Sequence, residues 1–163
     1  MILIALGANL RSSAGEPAAT LQAALAALET RGADVQAVSK FYATPAWPDP
    51  NDPPFVNAVA HIETALPPRE LLATLHDIEM AFGRRRSERN APRTLDLDLL
   101  DYDGRIETGP PELPHPRMAQ RGFVLIPLAD VAPGWRHPIT GRSLQSLIAD
   151  LSQEQRRVGA LDR

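Results

Sequence analysis

A chain of 163 residues is of single-domain size and long enough to bury a core of its own. With 44% hydrophobic and 23% charged residues and no cysteine, its composition fits a soluble globular protein and excludes a disulfide framework, a thiolate nucleophile and a cysteine-based zinc site. Lys+Arg of 17 against Asp+Glu of 20 leaves a net charge of −3, which disfavours a domain built to coat nucleic acid. No stretch approaches the ~18 apolar residues of a membrane span, and the opening MILIALGANL lacks the basic lead-in of a signal peptide. One domain over residues 1–163 and a cytoplasmic location are therefore expected.

The elements can be taken in chain order. MILIALG has the continuous apolar character of a buried strand. Pro17 opens a helix through Leu21, Leu25 and Leu28 that ends near Gly32, in keeping with proline at helix starts and glycine past their ends. ADVQAVSKFYAT alternates as one strand, PAWPDPNDPP is a loop, and FVNAVAHIET is a further strand. A second helix begins at Pro67 and Pro68, carries Leu71, Leu72, Leu75, Ile78, Glu79 and Phe82, and stops at Gly83. After an arginine-rich loop comes the strand LDLDLLDY. GFVLIPLADVAP and SLQSLIADL follow as short helical pieces, with a short strand possible around Trp135. The 16 prolines fall at element boundaries and punctuate a folded domain. The order β-α-β-β-α-β predicts an α+β fold of ferredoxin-like type, its helices packed on a largely antiparallel sheet.

Residues 83–98, GRRRSERNAPRTLDLD, concentrate the chemistry. Arg84, Arg85, Arg86, Arg89 and Arg93 present planar, permanently charged forks suited to phosphate oxygens. Strand alternation sends Leu95, Leu97 and Leu99 to a core and Asp96 and Asp98 to the opposite face, with the two acidic Cα atoms about 6.5 to 7 Å apart. Carboxylates so placed can hold a hard dication such as Mg2+ that bridges phosphate oxygens. Alone, the alternating aspartates would be an ordinary solvated strand edge and the arginines a solvated loop; next to each other they point to a nucleotide-phosphate site.

Other phosphate machinery is absent. There is no G-x-x-x-x-G-K-[ST], and the sole lysine, Lys40, lies in no glycine loop, which excludes a P-loop enzyme. The protein-kinase set, a G-x-S-x-G elbow and an H-E-x-x-H helix are also missing. Direct in-line transfer, with positioning and charge stabilisation supplied by arginine and metal, suits what remains. Two alternatives stay open: a noncatalytic arginine loop that docks RNA or an acidic protein, with steep salt dependence, and an enzyme that moves AMP instead of pyrophosphate.

GR-x-R-x-x-R-x-x-PRTLDLDLL, with PHPRM-x-x-RGFVLIPLADVAP, IALGANL and FYATP, closely resembles the 6-hydroxymethyl-7,8-dihydropterin pyrophosphokinase family over residues 2–150. The resemblance implies a ferredoxin-like fold, two Mg2+ ions, and transfer of pyrophosphate from ATP to the hydroxymethyl oxygen of 6-hydroxymethyl-7,8-dihydropterin with release of AMP, in folate biosynthesis. It implies no nucleic-acid, membrane or obligate protein partner. By the same resemblance, Asp96 and Asp98 match the metal-holding aspartates, with Asp96 also near the pterin hydroxymethyl group. Arg84 and Arg93 match arginines that contact the triphosphate and assist transfer, and Arg86 and Arg89 match others of the loop over ATP. His115 and Arg121 match a second phosphate-contacting set; without the family, His115 could equally be a turn residue between two prolines. Glu79 matches a nucleotide-side acid, although a helix-surface glutamate is otherwise ordinary. Phe55 and Phe123 match the pair that sandwich the pterin, though each alone would be read as core. Asn57 matches the residue that reads the ring edge, and Thr44 and Pro45 match the adjoining loop. Asn9 is more simply a turn asparagine. Three positions depart from the better-known pattern: Asn90-Ala91 stands where Trp-Gly is frequent, Trp47 replaces an aliphatic residue, and Pro110 replaces an arginine of some relatives.

Overall fold

The computed structural model describes residues 1–45, 51, 53–83 and 94–161. Among them the strands are β1 (Ile2–Ala8), β2 (Ala33–Val38), β3 (Tyr42–Thr44), β4 (Phe55–Thr64), β5 (Asp96–Tyr102) and β6 (Gly159–Ala160). The α-helices are α1 (Pro17–Thr30), α2 (Pro68–Ala81), α3 (Gly122–Val131) and α4 (Leu144–Ala149), with a 3-10 turn at Met118–Gln120. The strands form one sheet in the order β5-β1-β4-β3-β6, with β2 also paired to β4. Every described pairing is antiparallel, as the ferredoxin-like expectation requires.

Each face of the sheet carries its own core. Ile2, Ile4 and Leu6 of β1 join Leu97 and Leu99 of β5 beneath Leu21 and Leu28 of α1 and Leu71, Leu75 and Ile78 of α2. Leu3 and Ala5 point the other way, with Val59 and Leu100, under Val124, Leu125 and Leu128 of α3 and Leu144 and Leu147 of α4. β1 is buried on both sides, which is why MILIALG is continuously apolar and does not alternate. Each fully buried leucine or isoleucine here contributes about 1.5–3 kcal/mol relative to exposure.

Two expectations are corrected and one strand is added. ADVQAVSKFYAT is two strands: Val38 pairs with Ala60 and Tyr42 with Asn57, so the chain carries one residue more than β4 between these pairs. Ser39 spans the irregularity, donating its amide to the Val59 carbonyl and accepting the Val59 amide on Oγ, both at 2.9 Å. The strand considered near Trp135 is only an isolated bridge between Arg136 and Ser143. Conversely, Gly159–Ala160 was not anticipated and pairs with Tyr42 and Ala43.

Candidate active site

One row of residues crosses the sheet. Asp96 of β5 pairs with Gly7 of β1, Gly7 with Asn57 of β4, and Asn57 with Tyr42 of β3. Paired residues share a face, so all four lie on the side that bears α3. Asp98, paired with Ala5, lies on the same face, whereas Leu97 between the two acids turns into the α1/α2 core. Both aspartates remain partly exposed.

Gly7 keeps this row open. A Cβ at that position would stand 2.8 Å from Asn57 Oδ1, closer than side chains tolerate, so the missing side chain makes room for the amide. Asn57 is buried and donates from Nδ2 to Thr44 Oγ1 at 2.9 Å. Its Oδ1 and second N–H thus supply an acceptor and a donor side by side. Phe55, two residues earlier on β4, lies half-buried on the same face, and Pro45 is exposed beyond Thr44. Asn9 is buried and donates to the Pro53 carbonyl at 3.2 Å, tying the end of β1 to the entry of β4.

The start of α3 forms the opposite rim. Arg121 is its N-cap, and Phe123 packs half-buried against the α3-side core. The Arg121 guanidinium is 4.0 Å from Asp98 Oδ2 and stands over the Phe123 ring, 5.4 Å from its centre. One cation therefore links an acid to an aromatic surface. His115 reaches the same charges. Burial and the positive field of Arg121 pull its pKa from 6.5 down to about 4, opposed by Asp96 and aided by Arg117. It is thus neutral near pH 7, and its Nδ1 accepts the Arg117 amide at 3.2 Å, so the ring proton is on Nε2.

Glu79, which the resemblance matches to a nucleotide-side acid, is not the surface glutamate of the plainer alternative. It is 3% exposed, and its Oε2 accepts the Leu97 amide at 2.8 Å. Among the described residues β5 is an edge strand, and this carboxylate from α2 satisfies an outward-facing amide between the two aspartates. The signal was present: Leu71, Leu75, Ile78 and Glu79 follow helical spacing along one buried stripe, so an acid occupied a core position.

The model for the 7,8-dihydro-6-hydroxymethylpterin-pyrophosphokinase (HPPK) family matches residues 3–133. The chain belongs to this family. It is 43% identical over 153 residues to the 2-amino-4-hydroxy-6-hydroxymethyldihydropteridine pyrophosphokinase of Pseudomonas aeruginosa, covering 91% of this chain and 90% of that protein. Against the protein of the same name from Synechocystis sp. it is 40% identical over 148 residues, covering 90% and 73%. Among solved structures, the wild-type HPPK-DHPS of Plasmodium falciparum is similar with a TM-score of 0.70 at 15% identity, covering 91% of this chain. This chain spans 40% of that longer one, and the likeness is one of fold.

Of the residues singled out by the pyrophosphokinase resemblance, the sheet and α3 bring Asp96, Asp98, Asn57, Thr44, Phe55, Arg121 and Phe123 to one end of one face, with His115 within the field of Asp96 and Arg121. Glu79 approaches β5 from its edge. Arg84, Arg86, Arg89 and Arg93 lie outside the described residues, as do Arg85, Trp47, Asn90 and Ala91. Among the described residues no group of three or more His, Asp or Glu side chains is placed to hold a metal. The two aspartates offer only hard oxygen donors from one strand face, a set that fits Mg2+ when phosphate and water complete its shell. No helix among the described residues is long and apolar enough to cross a membrane.

Proposed function

We propose that this chain transfers the pyrophosphoryl group of ATP to the hydroxymethyl oxygen of 6-hydroxymethyl-7,8-dihydropterin, releasing AMP, as a cytoplasmic step of folate synthesis. The observation that carries the reading is the row from Asp96 across Gly7 to Asn57, in a chain of the pyrophosphokinase family. It supports the reading by putting the acids proposed to hold metal and the amide proposed to read the ring on one continuous surface.

Asp96 and Asp98 would hold Mg2+, which when bound neutralises and orients the triphosphate oxygens. Arg121 limits repulsion between the acids and the incoming phosphates, and His115, protonated on Nε2, offers them a neutral donor. Arg84, Arg86, Arg89 and Arg93 would supply the remaining positive charge. At the other end, Asn57 gives an acceptor and a donor to the amide-like edge of the pterin, its orientation held by Thr44. Phe55 and Phe123 furnish flat apolar surface for the ring faces, and Pro45 lies beside the slot. The hydroxymethyl oxygen then gives up its proton to solvent and forms a bond to the β-phosphorus, while the bond from that phosphorus to the α,β-bridging oxygen breaks and AMP leaves with that oxygen. The chain's contribution is placement and charge, as expected where the nucleophile belongs to the substrate.

Incubation with ATP, Mg2+ and the pterin, with nucleotides separated by chromatography, tests the reading. AMP should accumulate in step with pyrophosphorylated pterin, cease with EDTA and resume on added Mg2+. Asp96→Ala and Asp98→Ala should each lower turnover by more than about 100-fold, the scale of losing a charge-stabilising group at the reacting centre, with far-UV circular dichroism unchanged. Release of pyrophosphate in place of AMP would mean adenylyl transfer, and near-normal turnover by either variant would remove the metal assignment.

A further inference from the structure

Residues 134–163 lie outside the stretch matched by the family model, yet part of this segment touches both walls of the proposed pterin slot. We propose that Ser152 to Leu161 form a strap that sets the spacing of those walls, with Gln155 as a positioning residue; this rests on the functional reading above.

The strap meets the first wall at the start of α3. No side chain of the N-cap Arg121 caps this helix, and its first amides have no partner within the helix. The missing acceptor comes from 33 residues away: Gln155 Oε1 takes the Gly122 amide at 2.9 Å. The fit is close, because a methyl group placed on Gly122 would overlap the backbone carbonyl of Gln155. Gly122 stands between Arg121 and Phe123, so the contact fixes the pivot from which both side chains reach the site.

The second wall is β3. Gly159 and Ala160 pair with Ala43 and Tyr42, and the Leu161 amide donates to the Phe41 carbonyl at 2.8 Å. Thr44, which orients Asn57, follows directly. The strap is itself anchored: the Gln155 amide donates to Ser152 Oγ at 3.2 Å, and the Arg156 guanidinium donates to the carbonyls of Leu151 at 3.0 Å and Ala149 at 2.6 Å. Across the slot, the Tyr42 hydroxyl donates to Asp130 of α3 at 2.6 Å, so α3 and β3 are joined at a second point. A segment held this firmly to both walls determines their separation.

The test is calorimetric titration of the full chain with 6-hydroxymethylpterin in the presence of saturating Mg2+ and α,β-methylene-ATP, which cannot be cleaved at the transferred bond. Gln155→Ala should weaken pterin binding about fivefold, the scale of one lost hydrogen bond, while the thermal midpoint moves by no more than a few degrees. Gln155→Glu keeps an acceptor for the Gly122 amide and should bind within about twofold of wild type. A merely structural contact would lower the midpoint of Gln155→Ala and leave the pterin affinity unchanged, and that result overturns the proposal. So does a Gln155→Glu variant as weak as the alanine variant. Wild type that binds nucleotide but no pterin overturns the functional reading and this proposal with it, whereas wild type that binds pterin no better than Gln155→Ala overturns the strap alone.

Discussion

Backbone contacts decide which proton His115 carries. The Arg117 amide occupies Nδ1, and burial with the Arg121 charge holds the pKa down to about 4 against the weaker pull of Asp96. A histidine whose folded pKa lies below its unfolded value adds stability that is fully present above the unfolded value, near pH 6.5, and is lost as pH falls through the folded value. The window therefore runs from about 6.5 to about 4. His115→Asn removes this proton uptake, so its urea midpoint should decline less steeply than that of wild type over that interval; parallel curves would show that another group titrates. The pH profile of kcat/KM, which reports the free enzyme, should carry no inflection from His115 between pH 6 and 8.

At the scale of elements, the acid-bearing strand depends on a helix that contributes nothing to its ladder. Glu79 of α2 meets the Leu97 amide between Asp96 and Asp98. Glu79→Ala strands that buried donor, at a cost of about 1–3 kcal/mol. Guanidinium unfolding should show the loss, and kcat should fall as well, because the carboxylates flank the released amide. Full stability in the variant would mean that the amide finds another partner.

The same elements show what could be read from residue order. Leu95, Leu97 and Leu99 against Asp96 and Asp98 were legible because a strand has a period of two. Helices α1 and α2 announced themselves through Pro17, Pro68, Gly32 and Gly83, which act through local backbone preference. Ser39 was opaque because its hydroxyl replaces a ladder contact to Val59, a residue 20 positions away. β6 was opaque too: two residues, Gly159 and Ala160, carry no periodicity, and their pairing exists only once β3 is in place. Glu79 lay between, since its helical spacing was visible but its partner on β5 was not. The clustering of Asn57, Arg121 and Asp98 likewise needs the folded sheet, and the family resemblance anticipated it where pattern alone did not.

At the scale of the whole molecule, two cores share one sheet, and the α3-side core gives way at one end to the row through Asp96, Gly7 and Asn57. Adjacent strands in any sheet lie about 4.8 Å apart. Asp96 and Asn57, with β1 between them, are therefore roughly 9.5 Å apart across the sheet, two strand spacings. Hydrogen-bond length sets this interval, and side-chain substitutions barely alter it. On the proposed function, the sheet is in effect a ruler two divisions long, suited to a bicyclic ring that carries a single carbon before its oxygen. A pterin with one further methylene in that arm should still seat its ring on Asn57 but overshoot the acids, retaining affinity while turnover falls about tenfold or more. Competitive binding against single-turnover rates would separate the two effects, and equal turnover of both arms would show that the gauge lies elsewhere.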